Sequence, residues 1–207
     1  MSEKKVSEKK ASEKSAARSR NPRGEGSRLR GELISAASRL LETLDGQDAL
    51  SLRAVAREAG IAPQSVYLHF ADRRELLTAV YAERFAELRT ALEAAQRSSA
   101  APGDRLSAVC HAYVDYGVRN PGHYRVLFGT AGTPGWEPAA GELPGLPTFQ
   151  LLVDVVTDCG ATDPRSTALC LWAAMHGLIT LHQDRPSFPW PPLATLVDTM
   201  VRAHLTR

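Results

Sequence analysis

Apolar residues recur along this chain at intervals of three and four, and no segment alternates apolar with polar, so the pattern predicts helices and no strands. A first helix is expected over residues 28–45, with Leu29, Leu33, Ala37, Leu40, Leu41 and Leu44 on one face. Leu52, Val55 and Ala56 give a second, short helix an apolar face, and Val66, Tyr67 and Phe70 do so for a third. A long helix follows from Asp72 to about Arg97, with Leu77, Tyr81, Phe85, Leu88 and Leu92 in register. That stripe is too short for a sustained heptad, so a connector is favoured over a coiled-coil strand. Leu106, Val109, Cys110, Tyr113 and Gly117 mark the next helix, and residues 123–128 a short one. Nine of the 19 residues from Gly129 to Pro147 are Gly or Pro, which predicts a mobile loop. Helices are then expected at 148–158, from Asp163-Pro164 to about His182, and from Leu193 to His204. The fold class is all-α, about nine helices.

The punctuation between residues 50 and 77 carries the most information. Ser51 suits an N-cap, since its hydroxyl can accept a bond from an orphan amide of the first turn. Gly60 can take the left-handed conformation that ends the helix and turns the chain. Pro63 suits the first position of the next helix, where its missing amide hydrogen costs nothing. Asp72 and Glu75 have capping-box spacing, with Asp in place of Ser or Thr. Gln64, Ser65, Leu68 and His69 are left pointing outward. Two short helices at a steep angle, the second opening on small polar residues, form a helix-turn-helix that reads DNA.

This stretch resembles the TetR family of transcriptional regulators. The residues that carry the likeness are Ser51, Ala59-Gly60-Ile61, Tyr67-Leu68-His69-Phe70, and Arg73 before Glu75-Leu76-Leu77. Ala62 departs from it, because the family usually places a capping Ser or Thr there. Arg73 departs too, since Lys is commoner, but both are cations. The match spans roughly residues 27–87. Farther on, Trp172-Ala-Ala-Met-His-Gly177 resembles the Trp-His-Gly signature of one C-terminal class of the family, with Asn120-Pro121 and Tyr124 to Phe128 in keeping. The resemblance implies a homodimer, with the last two helices of each chain pairing across a four-helix interface, and a C-terminal domain that senses an effector. Leu169, Leu171, Trp172, Met175, Leu178 and Ile179 surround their helix, as a helix buried on several faces requires.

Charge adds one asymmetry. Residues 1–31 hold ten Lys or Arg against four Glu, whereas the rest hold 15 bases and 19 acids. Residues 1–26 are therefore expected to be a disordered basic arm. They open on an imperfect SEKKV-SEKKA-SEKSA repeat, which has too little apolar content to offset its ordering entropy. Nearer the first helix, Arg18, Arg20, Arg23, Arg28 and Arg30 form a second, arginine-rich part that suits phosphates or a minor groove beside a major-groove reader. A DNA-binding domain is expected over 27–87 and an effector-binding and dimerisation domain over 88–207. The N-terminus has no apolar segment of a secretory leader. The longest uncharged run, Ser166 to Gln183, is too polar for lipid, so no membrane partner is expected and the compartment is read as cytoplasmic.

Candidate chemistry follows from these placements. Ser51, Tyr67, His69, Arg73 and the arginine arm are expected on phosphates, which set register without reading sequence. Gln64 and Ser65 are the candidates for base edges, and Arg53 for phosphate or guanine. Arg57 is read as a solvated or internally paired charge. Tyr67 could equally be a core aromatic with its hydroxyl at the surface. Tyr113, Tyr116, Phe128, Trp172, Met175 and His176 could line an apolar effector pocket or form plain core. For His176, a satisfied core residue is favoured over an effector ligand. Cys110, Cys159 and Cys170 have no paired spacing and are read as buried small hydrophobes. Cys110 and His111 project about 100° apart on a helix, so no metal and no cofactor is expected. No nucleophile elbow, phosphate loop or paired catalytic carboxylates appear, so the chain is not read as an enzyme. The expected function is a sequence-specific DNA-binding regulator, a repressor released from a near-palindromic operator by a small-molecule effector. Its rivals are a DNA-packaging protein using the basic arm without sequence preference and, behind it, an enzyme of unrecognised type.

Overall fold

The computed structural model describes residues 25–43, 50–128 and 143–205. Among them are nine helices and no strand. α1 spans Glu25–Thr43, α2 Leu52–Glu58, α3 Pro63–Val66 and α4 Arg73–Gln96. α5 spans Pro102–Arg119, α6 Pro121–Phe128, α7 Leu146–Asp158, α8 Pro164–Asp184 and α9 Leu193–Leu205. The first 24 residues, with the repeat and most of the expected arm, lie outside the described residues, as does most of the Gly/Pro-rich loop, whereas Glu25 and Gly26, expected in the arm, already belong to α1. That loop is shorter than expected, because Leu146 and Pro147 already form the first turn of α7. Proline tolerates that position, since the amide it lacks would find no helical partner there.

Two apolar cores share one helix. In the first, Leu33, Ala37 and Leu41 of α1 close over Val55, Ala56, Val66 and Phe70, joined by Leu76, Leu77, Val80 and Tyr81 of α4. In the second, Leu88 and Leu92 of the same α4 pack with Leu106, Val109, Cys110 and Tyr113 of α5, and with α7, α8 and α9. α4 passes from one core to the other without a break, and Arg84 lies buried at the crossing. Its guanidinium is held by Glu83 at 2.8 Å and Glu87 at 3.0 Å, and it meets the His123 ring at 3.1 Å. Paired this closely, the cation escapes the penalty of a buried charge left alone.

α6 is the second bridge. Its Val126 belongs to the first core, whereas Tyr124 belongs to the second and Phe128 packs against it. His123 sits 3.3 Å from the Glu42 carboxylate, and Arg125 donates to the Glu42 carbonyl at 3.3 Å, which ties α6 to the end of α1. On the far side, Gly117 lets α5, α6 and α8 close together. A Cβ there would lie 2.7 Å from Ile179 Cδ1 and 3.0 Å from Tyr124 Cδ2. Among the described residues, no helix is long and apolar enough to cross a membrane.

Candidate functional site

The helix-turn-helix is built by its ends. Ser51 Oγ accepts from the Ala54 amide at 3.1 Å and so caps α2. At the other end, the Ile61 amide reaches the Ala56 carbonyl at 2.9 Å and the Gly60 amide the Arg57 carbonyl at 3.2 Å. This paired closure needs a left-handed residue, and Gly60 supplies it with φ +69°. α3 opens on Ala62 without a side-chain cap and keeps only one helical turn. α4 opens on a double cap: Asp72 Oδ1 accepts from the Glu75 amide at 2.8 Å, while Glu75 Oε2 reaches back to the Ala71 amide at 2.7 Å. The turn between α3 and α4 is thereby fixed from its C-terminal side.

Anchors and readers separate cleanly on α3. Val66 and Phe70 are fully buried, and the Arg30 guanidinium covers the Phe70 ring at 4.8 Å. Gln64, Arg53 and Ser51 are exposed, and Ser65, His69 and Arg73 are half-buried. Leu68 is 82% exposed, an apolar tip on the same segment. Tyr67 corrects the expectation that it faces the core, for it is 52% exposed. The reason is local. After Val66 the chain leaves the α-helix through a tighter turn, with the His69 amide on the Val66 carbonyl at 2.9 Å, so helical spacing stops describing side-chain direction. Arg57 is exposed, as a solvated charge would be.

In the second core, four polar side chains from three helices form a line. Trp172 Nε1–H donates to Tyr113 Oη at 2.9 Å, Tyr113 Oη meets Tyr124 Oη at 3.1 Å, and Tyr124 Oη meets His176 Nδ1 at 2.6 Å. Phe128 stands among them, with ring centroids 4.8 Å from Tyr124, 5.4 Å from His176 and 6.1 Å from Trp172. Burial pushes the Tyr113 phenol up to about 12 and raises that of Tyr124 further in the same direction. Burial holds His176 below the ordinary histidine value. All three groups are therefore neutral near pH 7. Tyr113 and Tyr124 are buried, whereas Phe128, Trp172 and His176 are half-buried and border accessible space.

The structure thus brings Tyr113, Phe128, Trp172 and His176 together. Met175 is buried in the adjacent core. Tyr116 faces elsewhere, toward Glu87 and Arg84, where burial and then the Glu87 charge push its phenol up to about 12. Tyr124 is the member that helical stripes do not single out. Its one local signal is spacing, because Tyr124 and Phe128 are four apart on α6 and share a face. His111 turns away from Cys110 and pairs with Asp198 of α9 at 2.8 Å. Of the cysteines, Cys110 is buried, but Cys159 is half-buried and Cys170 exposed, which corrects the expectation of three buried thiols. Cys170 lies on the side of α8 that the described residues leave uncovered.

Comparison with known proteins agrees with this architecture. Residues 33–80 match the family described as bacterial regulatory proteins, tetR family, and residues 106–204 match the tetracyclin repressor-like C-terminal domain. A protein of unknown function from Rhodococcus sp. RHA1 is 31% identical over 86% of this chain and 96% of its own, with a TM-score of 0.71. A TetR family transcription regulator from Marinobacter aquaeolei VT8 shares the fold at 16% identity, 84% and 94% coverage and a TM-score of 0.66. So does the transcriptional regulator FadR from Bacillus subtilis in complex with stearoyl-CoA, at 15% identity, 85% and 97% coverage and a TM-score of 0.66. Matched by family at both its capped helix-turn-helix and its C-terminal bundle, the chain belongs to the TetR family of bacterial regulatory proteins.

Proposed function

We propose that the chain acts as a homodimeric cytoplasmic repressor, not an enzyme, and that a small apolar effector releases it from a near-palindromic operator. The observation that carries the DNA side is α3 itself. Val66 and Phe70 pin it to α1 and α4, which leaves Gln64, Ser65 and Leu68 free to enter a major groove. Gln64 can pair bidentately with adenine, and Leu68 can meet a thymine methyl. Ser51 caps α2 with an oxygen lone pair, so its hydroxyl hydrogen remains available for a phosphate. Tyr67, His69 and Arg73 lie in or just after the same segment as phosphate partners, and the exposed Arg53 of α2 is available for phosphate or guanine.

Dimerisation is supported by the uncovered side of α8. Cys170, Ala173, Ala174 and Leu181 are exposed there, with Leu169 at 44%, and Phe188 in the following turn is 57% exposed. Small residues at these spacings let a second α8 approach closely, and a two-fold pairing covers the stripe with itself. Two protomers then present two α3 segments to half-sites about one helical turn apart.

Effector coupling runs through α6 and α4. A ligand seated on Phe128, Trp172 and His176 bears on α6, whose other side holds α1 through His123, Arg125 and Val126. A coupling of about 1–3 kcal/mol suffices for a useful switch. FadR of Bacillus subtilis, which shares the fold, is in complex with stearoyl-CoA, whose long acyl chain is in keeping with an apolar effector here. Selection of bound fragments from random double-stranded DNA tests the proposal. A recovered near-palindrome is the expected result, and tight binding with no enriched sequence would favour DNA packaging instead. Against the recovered operator, Gln64→Ala should relax specificity, whereas Arg73→Ala should weaken all sequences alike. Equal loss on operator and random DNA from Gln64→Ala would remove it from the base-reading set.

A further inference from the structure

The line of hydrogen bonds from Trp172 to His176 can run in only one direction. Indole nitrogen only donates, so Tyr113 Oη must accept from Trp172. Tyr113 has one hydrogen of its own, and among the described residues its remaining hydrogen-bond partner is Tyr124 Oη. It therefore donates to Tyr124. The Tyr124 hydrogen then has His176 Nδ1 as its acceptor at 2.6 Å. Reversing the chain would aim both the Trp172 N–H and the Tyr124 O–H at Tyr113, leaving a buried hydroxyl hydrogen with no acceptor. An unmet buried donor loses its water with no acceptor in exchange, and that cost fixes the polarity.

Fixing the polarity fixes the tautomer of His176. With Nδ1 accepting, the ring proton resides on Nε2. Burial, which disfavours the imidazolium, keeps the ring in this neutral form. Among the described residues, no group accepts from Nε2. The ring is half-buried, with its centroid 5.4 Å from that of Phe128 and 6.5 Å from that of Trp172, so an Nε2–H without an acceptor is available to a ligand that reaches those rings. It is one uncharged donor of set direction in an otherwise aromatic surface.

We propose that His176 Nε2–H is the recognition donor of the effector site and selects a neutral, largely apolar ligand bearing a carbonyl oxygen. This rests on the placement of the effector against the ring cluster. The apolar body lies on Phe128 and Trp172, and the carbonyl oxygen accepts from Nε2. An ammonium group is rejected at the same point, because two donors would face each other and none of the four relay side chains carries a negative charge.

Two measurements on the full-length protein test it. Long-range proton–nitrogen NMR of the histidine-labelled protein reads the tautomer, and His176 should show the neutral Nε2–H pattern. The Nδ1–H pattern would overturn the proposal. Titration with octan-2-one and octan-1-amine, followed by calorimetry, should give at least tenfold tighter binding of the ketone. His176→Phe should abolish that preference. Should His176→Phe fail to fold, Tyr124→Phe serves in its place: it removes the donor that fixes the tautomer, so both forms should appear and the ketone preference should shrink. Equal binding of the two probes, or no binding of either, would overturn the proposal. Operator binding retained in that case leaves the regulator assignment standing, whereas ketone selectivity without any operator binding would sink the assignment alone.

Discussion

The two halves of this molecule use polar side chains in opposite ways. Around α3, Gln64 and Leu68 are exposed and Ser65, His69 and Arg73 half-buried, while the fully buried positions go to apolar anchors such as Val66 and Phe70. Around α6 and α8, the polar groups are themselves buried or half-buried and satisfy one another in a line. A surface that must meet a hydrated polyanion can leave its donors in water until the partner arrives. A cluster enclosed in a core cannot, because each donor buried there needs an acceptor. The proposed specificity thus rests on exposed groups on the first side, and on the second on what a closed network leaves over.

This contrast predicts a ranking of costs. Phe70→Ala should be the most damaging, about 3–5 kcal/mol by urea unfolding, since a fully buried ring leaves a cavity in the first core. A loss under about 1 kcal/mol would mean that α3 is held by something other than its anchors. Tyr124→Phe comes next, at about 1–3 kcal/mol, because it strands the Tyr113 hydroxyl hydrogen and removes the donor to His176. Ser51→Ala, which deletes only the α2 cap, should cost about 1 kcal/mol. If it proved costlier than Tyr124→Phe, the contrast between the halves would be inverted.

The smallest effect expected is on pH dependence. The His176 value in the folded chain lies below the ordinary 6.5 because burial disfavours its charge. Between that lowered value and 6.5, the unfolded chain binds a proton that the folded chain refuses. Unfolding is therefore favoured as pH falls through this window, and the stability is regained as pH rises above 6.5. Urea midpoints at pH 7 and pH 5 should fall farther apart for the wild type than for His176→Phe. Identical slopes would place the histidine in contact with water in both states.

Much of the helical order was legible because its signals are local. Ser51, Gly60, Asp72 with Glu75, and Asp163 before Pro164 act within three to five residues, and all appear as helix ends. The relay was not legible as a unit, since its bonds join residues 11, 52 and 59 apart. Periodicity identified Tyr113 and Trp172 as apolar-face residues but could not say which hydroxyl meets which nitrogen. Tyr67 was misplaced for the opposite reason, a helix too short for its period to hold. Cys170 was misplaced because an all-round apolar helix does not reveal which side its own chain covers.

The passage of α4 through both cores has a consequence for how the molecule comes apart. Its 24 residues form one uninterrupted rod of about 36 Å, with no hinge at the crossing. Neither core can melt completely while the other keeps its share of that rod without fraying a helix in mid-length. The two halves should accordingly unfold as one cooperative unit. Slow hydrogen exchange should extend across Arg84 from Tyr81 to Leu88, with no step between the halves. A ligand bound only at the ring cluster would then protect amides of the helix-turn-helix that it never touches.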